Sequence, residues 1–282
     1  EFKIISDKQY SFYKDFGLPI VQQTHLPTPK DVVEQMRPDF IFTGTSYTSS
    51  IELQYLKAAK QNSITSYSFI DHWTFFKKRF LYSEEYIFPD FILVLDEKAK
   101  KQASDEGIDG STIEIFNNPY YLYIEKWKPD ISKAELLDKL GVKKKENKLV
   151  VFAPDPLSNV NGMQHYGFDE ISVTKTISKM LESKKKDFNF ILKPHPNQNM
   201  VLLKQAASDK IIVIDSETDT NSLMFYADAI IGFFSNFLIE AAIMKKKILR
   251  LHVVPVKNDP IAELNIGKII DETELLNELQ NI

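Results

Sequence analysis

Short runs of apolar, largely β-branched residues alternate along this chain with longer stretches in which apolar positions recur every three or four residues. The first pattern belongs to buried strands and the second to amphipathic helices. Their repeated alternation is what a parallel sheet built from strand–helix–strand units requires. In the first half, strands are expected at FKIIS (2–6), LPIVQ (18–22), DFIFTG (39–44), TSYSFI (65–70), DFILVL (90–95) and TIEIF (112–116), with helices near 29–36, 49–62 and 97–106. The helix over 49–62 places Ile51, Leu53, Tyr55, Leu56 and Ala59 largely on one side, with Ser49 or Ser50 as its cap.

The alternation stops at KWKPDISKAELLDKLGVKKKEN (126–147), a polar, charged stretch holding one short helix opened by Ser132 and closed by Gly141. It then resumes with strands at 148–154, 188–194, 210–215, 228–234, 247–254 and 266–271, separated by helices at 169–184, 199–209, 220–227 and 236–245 and followed by a terminal helix. Six strands with intervening helices make a complete doubly wound domain, which binds ligands beyond the carboxyl ends of its strands. A chain of 282 residues is also long for a single core. The expected organisation is therefore a first domain over 1–125, a linker over 126–147 and a second domain over 148–282.

Composition narrows the chemistry. The chain has no cysteine, which excludes disulfides, thiolate metal sites and cysteine nucleophiles. Its five histidines show no ligand spacing, so no metal is expected. With 35 basic against 39 acidic residues and a net charge of −4, a nucleic-acid partner is not expected. The KKK clusters at 143–145, 184–186 and 245–247 read as solvated helix ends. No apolar run reaches the length of a membrane span and the N-terminus lacks signal-peptide character. A cytoplasmic location is expected, with association at the inner membrane face peripheral at most.

Candidate chemistry collects just after the strands. In the second half these positions are Asp155, Lys193 to Pro196, Asp215 to Thr218, Ser235 with Asn236, and His252. They suit a phosphate-bearing ligand with hydroxyls to be read. In Lys193-Pro194-His195-Pro196 each proline fixes φ and holds the preceding residue extended, so the loop is stiff and presents an ammonium and an imidazole. Ser235 ends an apolar strand and begins a helix, where free N–H groups favour an anion; equally, it can serve only as the cap. Glu240 lies in an otherwise apolar helix and needs a partner, a cation or a ligand hydroxyl. In the first half, DFIFTGTSYTSS (39–50) is a polar loop without the pattern of a phosphate-binding GxGxxG or P-loop. Asp71 and His72 end another strand, where either can act as a base or, alternatively, serve as a cap and a ring packed on Trp73. There is no GxSxG elbow.

Taken together, RPDFIFTGTS and LQYLKAAKQNSITSYSFIDHW in the first half and LKPHPNQN and YADAIIGFFSNFLIEAAIMKKKIL in the second resemble the B-type glycosyltransferase (GT-B) superfamily. Within it, the KPHP loop and the SN…EA helix are similar to bacterial CDP-glycerol glycerophosphotransferases and capsule sialyltransferases. The resemblance implies two Rossmann-like domains facing each other, the first on the acceptor side and the second binding the nucleotide donor. It places His195 and Ser235 at the donor phosphates, with Asn236 in the place of a second serine; Lys193 and Thr218 join that group, and Glu240 and Asp155 are expected at the ribose or sugar. Asp71 or His72 is the expected catalytic base that takes the proton of an acceptor hydroxyl. The opening FKIISDKQYSFYKDFG reads like a later unit, so the first domain is expected to lack its first strand–helix unit.

The implied activity is transfer of a sugar or polyol phosphate from a nucleotide-activated donor to an acceptor hydroxyl in bacterial or archaeal surface polysaccharide synthesis. The donor is then a substrate and no cofactor is expected; the acceptor is a glycan or a lipid-linked glycan, and a homodimer is compatible. The non-hydrolysing UDP-N-acetylglucosamine 2-epimerases are the second resemblance, through His195-Pro196-Asn197 and the partial echo in Ser235 and Glu240-Ala241. Their Gly-Thr-Arg-Pro opening and His-Arg-Arg-Glu-Asn segment are absent. A nucleotide-sugar epimerase or hydrolase, and a non-catalytic nucleotide-sugar-binding module, are the alternatives.

Overall fold

A computed structural model of the chain describes residues 2–7, 17–18, 20–46, 49–183, 188–215, 218–256 and 259–282. The KKK cluster at 184–186, Ser216, Glu217 and part of the 39–50 loop lie outside these residues. The chain divides into two compact units, Glu1–Pro119 and Tyr120–Ile282.

In the first unit, β1 (Ile4–Ser6) and β2 (Ile20–Gln22) pair in parallel as a sheet of their own. Helix α1 (Pro29–Met36) starts where Thr28 accepts the Asp31 N–H and Pro29 supplies a preset φ, and it stops at Arg37, whose φ is +43°. The main sheet contains β3 (Phe40–Thr43), β4 (Thr65–Ile70), β7 (Phe91–Val94) and β8 (Ile113–Ile115), all parallel and adjacent in chain order. Helices α2 (Ile51–Gln61) and α3 (Glu97–Asp105) cross between strands. A small antiparallel hairpin, β5 (Leu81–Tyr82) and β6 (Glu85–Tyr86), was not foreseen from the hydrophobic pattern. Of the six strands expected in this half, β1 and β2 stand apart from the main sheet, Ile5 packing on a cluster of Val32, Val33, Tyr55 and Ala58. Two three-residue, half-buried strands carry too little apolar surface for their pattern to reveal which neighbour they pair with.

The second unit opens with α4 (Pro119–Lys126), whose first residue closes the first unit, and α5 (Lys133–Lys139). A single parallel sheet follows, made of β9 (Leu149–Phe152), β10 (Asn189–Leu192), β11 (Ile211–Val213), β12 (Ala229–Gly232), β13 (Ile248–Leu251) and β14 (Lys268–Ile270). Its strand order is β11-β10-β9-β12-β13-β14. The connecting helices are α6 (Gly162–His165), α7 (Glu170–Glu182), α8 (Met200–Ala206), α9 (Thr220–Tyr226), α10 (Asn236–Ile243) and the terminal α11 (Glu272–Gln280). β9, β10, β12 and β13 are buried at every position, as continuous apolar runs in a sheet covered on both faces must be. Their core brings Phe152, Phe190 and Phe233 into one cluster with Phe168, Val173 and Ile177 and with Leu275 and Leu279 of α11.

Residues 126–147, expected as a linker, pack as part of this unit. Ser132 and Glu135 close a capping box on α5, Gly141 takes the left-handed φ of +68° just past its end, and Leu136 and Leu137 are buried. The Tyr226 hydroxyl donates to the Ile131 carbonyl at 2.7 Å, and the Asp228 carboxylate holds Lys133 and Lys148 at 3.3 and 3.1 Å.

Candidate functional site

The strand order places chain-first β9 beside chain-fourth β12, so consecutive crossovers leave these two strands in opposite directions across the sheet. Doubly wound domains bind their ligands at such a topological switch point, beyond the carboxyl ends of the strands. Three loops end there: Ala153 to Asp155 after β9, Lys193 to Pro196 after β10, and Phe233 to Ser235 between β12 and α10. Gly232 allows the close approach, since a Cβ on it would meet the Ala153 carbonyl oxygen at 3.0 Å and a Leu238 methyl at 2.9 Å.

His195 is held by two neighbours, Gln198 and Asn197. The Gln198 side chain accepts the His195 N–H at 2.7 Å and donates to the Pro154 carbonyl at 3.2 Å, clasping the β9 and β10 loops together. The Asn197 N–H donates to His195 Nδ1 at 3.2 Å. Because Nδ1 accepts, the neutral ring carries its proton on Nε2, a donor facing away from that contact. Burial, with the charge of Lys193 added, lowers the imidazole's pKa and favours this neutral form.

Ser235 occupies the N-cap of α10, but its side chain makes no capping bond. Its Oγ is buried without a hydrogen-bond partner, which leaves a hydroxyl at the helix start unsatisfied. Asn236 beside it is exposed. Asp155 accepts the Phe234 N–H at 3.1 Å, so one of its oxygens aims the β12–α10 loop. Burial pushes that carboxyl up to about 6.

Lys193 and Glu240 lie close enough for each charge to act on the other. The ammonium lies 4.9 Å from the centre of the Phe237 ring. Burial lowers the lysine and raises the glutamate to about 7, and their mutual attraction opposes both shifts as the smaller effect. Thr218 lies farther along the edge, after β11, with its hydroxyl on Asp215 at 3.3 Å. The second unit thus gathers Lys193, His195, Ser235, Asn236, Glu240 and Asp155 at one sheet edge, with Thr218 two strands from the switch.

In the first unit, Asp71 is exposed and His72 half-buried just after β4. His72 Nδ1 is 3.0 Å from the Thr74 hydroxyl and its ring lies edge-on to Trp73 at 6.2 Å. Burial and the Arg79 guanidinium lower its pKa, against the opposing charge of Asp71. Arg79 donates to the Thr45 and Thr74 carbonyls at 3.1 and 3.3 Å, tying together the loops after β3 and β4.

Two supporting groups escaped sequence reasoning. Gln198 sits inside the quoted LKPHPNQN, and the only signal available was an amide three residues beyond a histidine. Arg250 is buried in β13, where its guanidinium pairs with Asp259, and its Nε donates to the Phe233 carbonyl at 3.2 Å. A charged residue inside an apolar strand was the signal there, but the partner lies beyond the strand. Among the described residues no cluster of three or more metal-ligating side chains occurs and no helix is long and apolar enough to cross a membrane.

Fold and switch-point site together define an α/β protein with two Rossmann-like domains of the GT-B-like type. Residues 122–252 match the model of the family described as CDP-Glycerol:Poly(glycerophosphate) glycerophosphotransferase, a stretch that contains the whole site of the second unit. No curated protein sequence matches the chain. Among solved structures, the chain is similar to the UDP-GlcNAc 2-epimerase of Methanocaldococcus jannaschii, with 15% identity, a TM-score of 0.65, and coverage of 99% of this chain and 83% of that one. Similarity to S. aureus MnaA, solved with UDP, has 14% identity and a TM-score of 0.65 over 99% and 78% of the two chains. Similarity to Anabaena HepE, solved with UDP-glucose, has 13% identity and a TM-score of 0.64 over 99% and 81%. Both resemblances read from the sequence, to the glycerophosphotransferases and to the epimerases, thus reappear in these comparisons.

Proposed function

We propose that this protein binds a nucleotide-activated sugar or polyol at the switch point of its second unit and transfers the activated group to an acceptor hydroxyl. The observation that carries the reading is the unsatisfied Ser235 hydroxyl at the start of α10, beside a loop that presents a donor-tautomer histidine. A diphosphate would accept from Ser235 Oγ, from the free N–H groups of α10 and from His195 Nε2, with the Lys193 ammonium nearby. As the bond to the nucleotide breaks, these donors stabilise the charge that develops on the leaving diphosphate. His195 acts as a neutral donor rather than a cation, because a second proton on Nδ1 would break the Asn197 contact. Glu240 holds a ribose hydroxyl, and Asp155 contributes indirectly by aiming the β12–α10 loop. No cofactor or metal is assigned a role. In the first unit, the acceptor's proton goes to His72 or Asp71. With Nδ1–H donating to Thr74, His72 Nε2 keeps a lone pair, and the lowered pKa keeps it unprotonated near neutrality.

The family matched by residues 122–252, described as a CDP-glycerol:poly(glycerophosphate) glycerophosphotransferase, supports the transfer of an activated group of the phosphoglycerol kind. The epimerase-like fold supports the second reading, turnover of the donor itself. Calorimetric titration with UDP, CDP, GDP and ADP tests the site first. Replacing His195 by Ala is expected to weaken the preferred nucleoside diphosphate roughly 10- to 150-fold, the worth of a hydrogen bond to a charged group; unchanged affinity removes His195 from the phosphate. Product analysis of the sugar or polyol conjugate without acceptor then separates the two chemistries, since only an epimerase or hydrolase consumes it. Binding with no turnover under either condition leaves a binding module.

A further inference from the structure

Two tyrosines at the start of the second unit stand beside the site and have no part in the reading above. Tyr120 and Tyr123 lie one turn apart on α4, their ring centroids 5.8 Å apart and their planes inclined by 33°. They remain 39% and 36% exposed, whereas Ile124 of the same helix is fully buried. The helix is seated on α9, with Trp127 edge-on to Phe225 at 6.1 Å. The aromatic pair is therefore presented by a docked helix rather than by a loose segment.

The surroundings of Tyr120 connect it to the site. Its hydroxyl reaches Asn221 Oδ1 at 3.5 Å, in the first turn of α9, just after the Thr218 loop. Burial, reinforced by the neighbouring Glu240 charge, pushes the phenol up to about 12. One partly open ring thus borders the first turn of α9 and lies within reach of the charge on the α10 carboxyl assigned to the ribose. With the diphosphate at Ser235 and His195 and the ribose at Glu240, the next part of the ligand is its base, a flat heteroaromatic ring. Engaging the hydroxyl edge of Tyr120 orients the phenol, whose side chain stays 39% exposed beside that contact.

We propose, resting on the donor-binding reading, that Tyr120, backed by Tyr123, is the wall against which the nucleotide base stacks. Stacking of this kind discriminates a nucleotide from a bare phosphate while tolerating more than one base. The full chain and its Tyr120→Ala and Tyr120→Phe variants are to be titrated calorimetrically with the preferred nucleoside diphosphate and, separately, with inorganic pyrophosphate. Tyr120→Ala is expected to raise the Kd of the nucleoside diphosphate roughly 10- to 100-fold. It should leave pyrophosphate affinity within about twofold, and Tyr120→Phe should retain nucleoside diphosphate affinity within about threefold, because the ring face remains. Equal losses for both ligands, or no loss for either, overturn the stacking wall. If the wild-type chain binds no nucleoside diphosphate more tightly than pyrophosphate, the donor-binding reading fails and the wall fails with it. A wild-type preference for nucleotides that survives in Tyr120→Ala overturns the wall alone.

Discussion

Glu240 shows how burial and function pull on one side chain. Its carboxyl is raised from the ordinary value of 4.5 to about 7, chiefly by burial, so the folded chain holds a proton that the unfolded chain releases. Above pH 4.5 the unfolded state therefore binds fewer protons at this position, and stability declines on its account as pH rises towards 7. Glu240→Gln has no such slope. Denaturation midpoints at pH 5, 6, 7 and 8 should show the variant gaining steadily on the wild type and levelling off about a pH unit above the folded value; parallel curves would mean that the carboxylate is fully compensated in the fold. A ligand hydroxyl donating to Glu240 would favour the ionised form, so nucleotide binding should shrink the difference.

At the level of elements, the site depends on how closely β12 can approach β9 before α10 begins. The loop between β12 and α10 is held on both sides, its Phe234 N–H by Asp155 and its Phe233 carbonyl by Arg250. Arg250 is in turn paired with Asp259, whose other oxygen accepts the Ile261 N–H at 3.0 Å. Gly232 gives this arrangement its tightness. Gly232→Ala should cost about 1 to 3 kcal/mol, the usual penalty for overpacking a filled interior, measured by urea denaturation. It should also weaken nucleotide binding, because the Cβ would press on the Ala153 carbonyl and on Leu238 of α10. A variant as stable and as tight-binding as the wild type would show that the loop moves freely.

For the whole molecule, the division into two units has an energetic counterpart. The second unit encloses its own aromatic and aliphatic core, and α5 and all of α4 after Pro119 belong to it. All the residues assigned to the donor lie in this unit. A fragment of residues 120–282 is therefore expected to unfold cooperatively and to bind the preferred nucleoside diphosphate within about tenfold of the full chain, by circular dichroism and calorimetry. It should lack transfer activity, since His72 and Asp71 belong to the first unit. A fragment that does not fold would show that the first unit is needed for the second to fold.

How much of this was legible in the sequence follows the range of the interactions involved. Strands β9, β10, β12 and β13 announce themselves as apolar runs, α1 by its helical period over 29–36, and α5 by Ser132 and Gly141, because burial and capping act within a few residues. The stiffness of Lys193-Pro194-His195-Pro196 is equally local, set by two pyrrolidine rings. Strand order is not local: nothing in the pattern of β1 and β2 tells that they form a ladder apart from β3, and nothing in Ile131 to Gly141 tells which unit they join. The same holds at the site. That His195 is a neutral donor depends on a backbone N–H and on Gln198 reaching to Pro154, and that Asp155 aims a loop depends on Phe234, 79 residues away. Residue chemistry and element type were determined by neighbours along the chain. Which groups meet, and in what protonation state, was decided by the strand order that brings the ends of β9, β10 and β12 to one edge.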